Sequence, residues 1–163
     1  MKVFGIFGAS GAGKTTTAEL VIRELNDRGY SVGSVKDIHA TSFALDPPGT
    51  NTHRHRVAGS QMVIAWGLRE TDILLQRRLA LTELLPYFSQ DFVLVEGGNQ
   101  EPIPKILAAK SEQEAAERLD REVFALAGVL ANTCVKYRGL PVLNARTRLK
   151  ELVDLIVSKA REF

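Results

Sequence analysis

A chain of 163 residues, 45% hydrophobic and 25% charged, has the size and make-up of one globular domain with its own core, and is too short for a second substantial one. A formal net charge of +2 supplies no strong field, so nothing argues for a nucleic-acid or membrane partner. The sole cysteine, Cys134, excludes an internal disulfide and reads as a small buried hydrophobe. No apolar run nears the ~18 residues of a membrane span and no signal peptide precedes the first strand, so a cytoplasmic protein is expected.

The apolar run Val3–Phe7 reads as a buried strand, and the stretch GASGAGKTTT follows it directly. Gly8, Gly13, Lys14 and Thr15 satisfy G-x-x-x-x-G-K-[ST]. The spacing has a physical cause. Successive backbone N–H groups must turn inward around an anion, which needs residues free of a Cβ, and a helix then aims its positive end at the phosphates. Thr15–Arg28 reads as that helix, with Ala18, Val21, Ile22 and Leu25 on one face and Gly29 as its stop. Strand, loop, helix and lysine agree on a P-loop. Gly8, Ser10, Gly11, Ala12, Gly13, Lys14, Thr15 and Thr16 are therefore the candidate binding residues for a nucleoside triphosphate. Lys14 is expected to reach the β- and γ-phosphates, and the Thr15 hydroxyl to ligate Mg²⁺.

Tyr30–Lys36 reads as a second strand, and Asp37–Asn51 as a long irregular loop broken by Pro47-Pro48-Gly49, of the kind that is functional or mobile. All three histidines, His39, His53 and His55, fall between Lys36 and Ser60. A His/Asp metal site is conceivable there, but Arg54 and Arg56 would repel a cation, so the loop is read as contacting phosphates, a ligand or a partner subunit. Asp37, at the strand tip, is placed to orient water or Mg²⁺. Met62–Gly67 and Thr71–Gln76 flank Leu68-Arg69-Glu70 as a hairpin, which predicts a mixed sheet. Leu79–Phe88 reads as an amphipathic helix.

Asp91–Gly98 is an apolar strand ending in an acid, Glu96, in the pattern of a Walker B strand with Glu for the commoner Asp. An acid at that tip would bind Mg²⁺ directly or through water, and Gly97 and Gly98 would let the backbone pass near the γ-phosphate. Lys105–Lys110 and Val123–Ala131 read as strands with a helix, Glu112–Leu119, between them. Leu140–Asn144 reads as a short strand and Thr147–Arg161 as a closing helix. Arg54, Arg56 and Lys105 are candidates for neutralising phosphate charge. Asn132 is the best candidate for a base contact and Asn144 another; no N-K-x-D fixes guanine over adenine. The expected architecture is a single α/β domain, a P-loop NTPase with a mostly parallel sheet, a β-hairpin extension and helices on both faces. Lys14, Glu96 and Asp37 are its candidate catalytic residues, and Thr15 and Glu96 its candidate metal ligands.

Beyond the P-loop, Asp46, Pro48, Gly49 and Thr52 fall on a D-x-P-G-x-D-[ST] element, and Ala58, Gly59 and Ser60 on A-G-[AS]. Glu96 and Gly97 fall on V-E-G-[FY]-[KR], followed by Lys105-Ile106. Together these motifs, spread over Met1–Lys110, make the chain resemble the molybdopterin-guanine dinucleotide biosynthesis protein B family, MobB. The resemblance implies a dimeric, GTP-binding, weakly GTPase accessory protein that helps a nucleotidyltransferase partner attach GMP to molybdopterin, with ATP as the alternative nucleotide. There are departures. The family's K-H-x-H-H is Lys36-Asp37-Ile38-His39-Ala40 here, the second acid of the P-G element is Asn51, and the aromatic and basic pair after Glu96-Gly97 is Gly98-Asn99. They cluster where cofactor or partner would be met, as in a divergent paralogue serving another pathway. The competing reading is a small-molecule kinase. A kinase closes an arginine-bearing lid over the phosphates, and Gly97–Pro104 contains no arginine.

Overall fold

The computed structural model describes residues 1–163, which divide into two compact units, Met1–Asp37 with Leu85–Phe163, and Ile38–Leu84. In the first unit, β1 (Lys2–Phe7), β2 (Val32–Lys36), β5 (Phe92–Glu96), β6 (Lys105–Ala108) and β7 (Val123–Ala127) form a parallel sheet in the order β2-β5-β1-β6-β7. Its sixth strand, β10 (Arg161–Glu162), pairs antiparallel with β1.

The period-2 alternation of side chains explains the layers. Phe4, Ile6, Phe92, Leu94 and Ile106 point to one face and pack with Ala18, Val21 and Leu25 of α1 (Lys14–Asp27) and Leu152, Val153 and Ile156 of α5 (Leu149–Lys159). Phe7, Leu107 and Leu126 belong to the other face, with Ala115 of α4 (Glu112–Arg118). Strands buried on both sides read as unbroken apolar runs, as β1 and β5 do. The α/β fold with helices on both faces of a mostly parallel sheet is the expected one.

Several elements differ from expectation, among them the closing helix Thr147–Arg161, which ends at Lys159 and leaves Arg161 to β10. The run Val123–Ala131 stops as a strand at Ala127, because Gly128 turns at φ 85° into a 3-10 helix over Val129–Asn132. Leu140–Asn144 contributes only Leu140–Pro141 (β9), which closes a hairpin on β8 (Lys136–Tyr137) through Arg138-Gly139, while Val142 bridges to Leu126. Leu79–Phe88 is helical only over α3 (Leu81–Leu84) and a 3-10 turn, Leu85–Tyr87, since Pro86 has no N–H for a fourth-residue bond and crowds the preceding turn.

In the second unit the segment expected to be irregular is followed by a helix, α2 (Asn51–Val57). Thr50 caps it, its Oγ1 accepting the His53 N–H at 3.1 Å. Strands β3 (Met62–Trp66) and β4 (Thr71–Leu75) form the expected hairpin, but as a separate two-stranded sheet, so the antiparallel member of the central sheet is β10 instead. One hairpin face carries Met62, Ile64, Trp66 and Ile73, all exposed, whereas Val63 on the other is buried. No helix is long and apolar enough to cross a membrane.

Candidate nucleotide site

The loop between β1 and α1 is packed backbone to backbone against the ends of β6 and β7. A Cβ on Gly8 (φ 141°) would collide with the Ala108 carbonyl, and one on Gly128 with the Ala12 carbonyl, so both positions require glycine. The Val129 N–H donates to that Ala12 oxygen at 3.2 Å. Lys14 folds back over the loop and donates from Nζ to the Ala9 carbonyl at 2.7 Å. Gly8 and Ala12 are thus tied to neighbouring backbone, with Lys14 folded back onto Ala9.

The tips of β2 and β5 supply the acidic side. Parallel register places Lys36 beside Glu96. Glu96 Oε1 accepts both the Thr15 hydroxyl and the Lys36 ammonium, each at 2.7 Å. Burial pushes the Glu96 carboxyl up, but the hydrogen bonds from Lys36 and Thr15 and the charges of Lys36 and Lys14 outweigh it, holding the group below its ordinary value. A hydroxyl and an ionised carboxylate converging in this way are the oxygen donors a hard cation such as Mg²⁺ takes. Asp37 lies next to them. Its N–H donates to the Glu96 carbonyl at 2.8 Å and its Oδ2 accepts the Gly98 N–H at 3.2 Å, so it braces the turn after β5.

Beside the first turns of α1 lies a cleft of about 180 Å³, lined among others by Thr16, Leu20, Val129, Asn132, Asn144 and Arg146. It brings together the two asparagines named as base contacts. Asn144 donates from Nδ2 to Asn132 Oδ1 at 2.9 Å and accepts the Arg146 N–H at 2.8 Å.

Lys105 does not join this site. Lys105 is 2% exposed; its Nζ donates to the Asn99 carbonyl and to Asp120 Oδ2, both at 2.9 Å, and lies 5.0 Å from the centre of the Phe7 ring. It braces the chain rather than offering its charge to phosphate, which corrects the expectation from sequence. In the second unit, Asp46 accepts the Thr50 and Thr52 hydroxyls at 2.6 and 2.7 Å. Those two bonds, then the charges of Arg56 and His53, hold its carboxyl below the ordinary value against burial. No group of three or more His, Cys, Asp or Glu side chains comes together to hold a metal ion. One contact went unread in the sequence: Glu114 accepts the Ala9 N–H of the P-loop at 3.2 Å. No local pattern signals it, because the S-x-x-E of Ser111 and Glu114 marks only the start of α4 and points to the Ser111 N–H.

The chain is similar to proteins of one named family. The family model "Molybdopterin guanine dinucleotide synthesis protein B" matches residues 3–129. The chain is 37% identical over 131 residues to the molybdopterin-guanine dinucleotide biosynthesis adapter protein of Haemophilus influenzae, covering 77% of this chain and 73% of that one. It is 25% identical over 162 residues to the probable adapter protein of the same name from Bacillus subtilis, covering 96% and 91%. Among solved structures, Bacillus subtilis MobB superposes over 100% of both chains at a TM-score of 0.76 and 21% identity. A MobB homologue from Bacillus stearothermophilus gives 0.74 at 22%, over 97% and 99%. At those identities the structures speak to the fold.

Proposed function

The chain belongs to the molybdopterin guanine dinucleotide synthesis protein B (MobB) family, and from that premise we propose that it is a nucleotide-binding adapter of molybdenum-cofactor biosynthesis. In this reading it holds GTP with Mg²⁺ and assists a nucleotidyltransferase partner in attaching the guanine nucleotide to molybdopterin, in the cytoplasm. The observation that carries it is the pairing of Thr15 with Glu96 beside Lys14 at the mouth of the P-loop.

The residues divide the work. Backbone N–H groups from Gly11 to Thr16 take the phosphates, and Lys14 exchanges the Ala9 carbonyl for phosphate oxygen. Thr15 and Glu96 would hold Mg²⁺, which would supply positive charge against the phosphates. Asp37, fixed by Gly98, orients water on the γ-phosphate side. No arginine of the segment after Glu96 is available to stabilise a transferred phosphoryl group, so hydrolysis is slow until a partner contributes.

The asparagine pair supports a choice of base. With Asn132 Oδ1 accepting from Asn144, the Asn132 amino group keeps its donors for the cleft. A donor suits O6 of guanine, where adenine presents an amino group of its own. The reading includes a homodimer. A second copy would cover the apolar face of the β3–β4 hairpin, where Ile64 is 54% and Trp66 90% exposed.

Titration of the purified protein with GTP, ATP and molybdopterin, alongside a phosphate-release assay, tests the proposal. Tight GTP binding with slow turnover supports it; efficient transfer to a small-molecule acceptor would favour a kinase.

A further inference from the structure

Helix α4 opens with Ser111, whose Oγ accepts the Glu114 N–H at 3.2 Å. In a capping box the glutamate three residues on would reach back to the serine's own N–H. Glu114 does something else. Its Oε2 accepts the N–H of Lys110 at 3.0 Å, and its Oε1 accepts the N–H of Ala9 at 3.2 Å, 105 residues away in the chain. Ala9 is the residue whose carbonyl holds the Lys14 ammonium at 2.7 Å. One residue therefore carries a carboxylate on its N–H and the P-loop lysine on its C=O. The Glu114 side chain is 11% exposed, with Arg118 Nε 3.8 Å from it.

We infer that Glu114 is a positioning residue for nucleotide binding, fixing Ala9 and, through the Ala9 carbonyl, the resting place of Lys14. The inference rests on the nucleotide-binding reading above. A loop whose glycines leave its backbone soft loses conformational freedom when it closes on phosphate, and a loop already held loses less. The clamp takes the N–H of Ala9, ahead of the N–H groups assigned to phosphate, so it does not compete with the ligand. Arg118 offsets the charge that a carboxylate would otherwise place near an anion. Charge-assisted bonds to backbone N–H are the stronger kind, so the clamp is suited to hold.

Three variants separate this role from simple support of α4: Glu114→Ala, Glu114→Gln and Ser111→Ala. The readouts are GTP and GDP affinity, thermal midpoint, and hydrogen exchange of the Ala9 amide followed by NMR without nucleotide. Glu114→Ala is expected to weaken both nucleotides by about tenfold and to abolish protection of the Ala9 amide. Glu114→Gln, which keeps one acceptor, falls between it and the unmodified chain. Ser111→Ala lowers the thermal midpoint yet leaves affinity within about twofold, because the Ala9 bond survives. Equal losses of affinity in Ser111→Ala and Glu114→Ala, or an Ala9 amide unaffected by Glu114→Ala, would overturn the inference. If the unmodified chain binds no nucleotide, the functional reading fails and this role with it, while the Ala9 amide still decides separately whether the clamp exists.

Discussion

Lys36 donates to the same oxygen of Glu96 that accepts the Thr15 hydroxyl, both at 2.7 Å. An ammonium thus occupies the carboxylate that a divalent cation would need, on a side chain 55% exposed and able to swing away. On the proposed reading, Lys36 and Mg²⁺ would compete for Glu96. Removing the competitor with Lys36→Met should lower the Mg²⁺ concentration that half-saturates nucleotide binding. A pair this exposed is worth on the order of 0.2–1 kcal/mol, so the shift is at most about fivefold. A magnesium titration of fluorescent GTP binding measures it, and an unshifted midpoint would mean that Lys36 leaves without cost.

Lys14→Ala removes the charge-assisted donor to phosphate. The loss should be about 1.5–3 kcal/mol, a tenfold or larger fall in triphosphate affinity. Calorimetric titration checks this, with no change in affinity as the outcome that sinks the P-loop assignment.

Glu96→Gln keeps the shape of the side chain and loses its charge. If the carboxylate serves Mg²⁺ and the attacking water, turnover should drop by at least tenfold while nucleotide affinity moves far less. Single-turnover phosphate release on saturated protein separates the two quantities. Equal turnover would remove Glu96 from the chemistry.

The same carboxylate gives a pH dependence whose sign is fixed. Its folded-state value is held below the ordinary 4.5, so its bonds to Lys36 and Thr15 contribute stability above that value. The contribution is lost as pH falls through the lower folded value. Thermal midpoints of the parent and of Glu96→Gln should therefore diverge least in acid and most above about pH 5. A gap that widened on acidification would contradict the depressed value.

Charge on the hairpin face should separate subunits. Ile64→Asp alters an exposed position opposite Ile73, where it disturbs no buried packing of the hairpin itself. Sedimentation should show the parent as a dimer and the variant shifted towards monomer, with nucleotide affinity retained. A variant that remains dimeric would place the interface elsewhere.

What could be read from sequence was what local chemistry fixes. The P-loop announces itself because its glycines, lysine and hydroxyl must lie within ten residues, Gly8–Thr17, and Glu96 because an acid closing four apolar residues marks a strand tip. The break at Pro86 was also local, and a stricter reading of proline would have shortened that helix. Thr50 as a cap was hidden among Pro47, Pro48 and Gly49, which read as loop. Pairing was a different matter. Nothing in Met62–Trp66 says that its only partner is β4, and nothing near Lys105 shows that Asp120 and Asn99 will enclose its ammonium. The departures from the family pattern at residues 37 and 98 were expected to lie on one face, and the Gly98 N–H indeed donates to Asp37 Oδ2.

The unit Ile38–Leu84 enters the chain after β2 and leaves it before β5, two strands that are direct neighbours in the central sheet. No strand of the central sheet belongs to it. An insert spliced in this way can be lengthened, shortened or exchanged between relatives while the sheet and its phosphate loop keep their register. Its first joint, however, falls at Asp37, the residue bonded to Gly98 beside Glu96. A graft that replaces the insert would therefore have to keep its first joint in place, where a careless seam would be felt beside the Glu96 carboxylate.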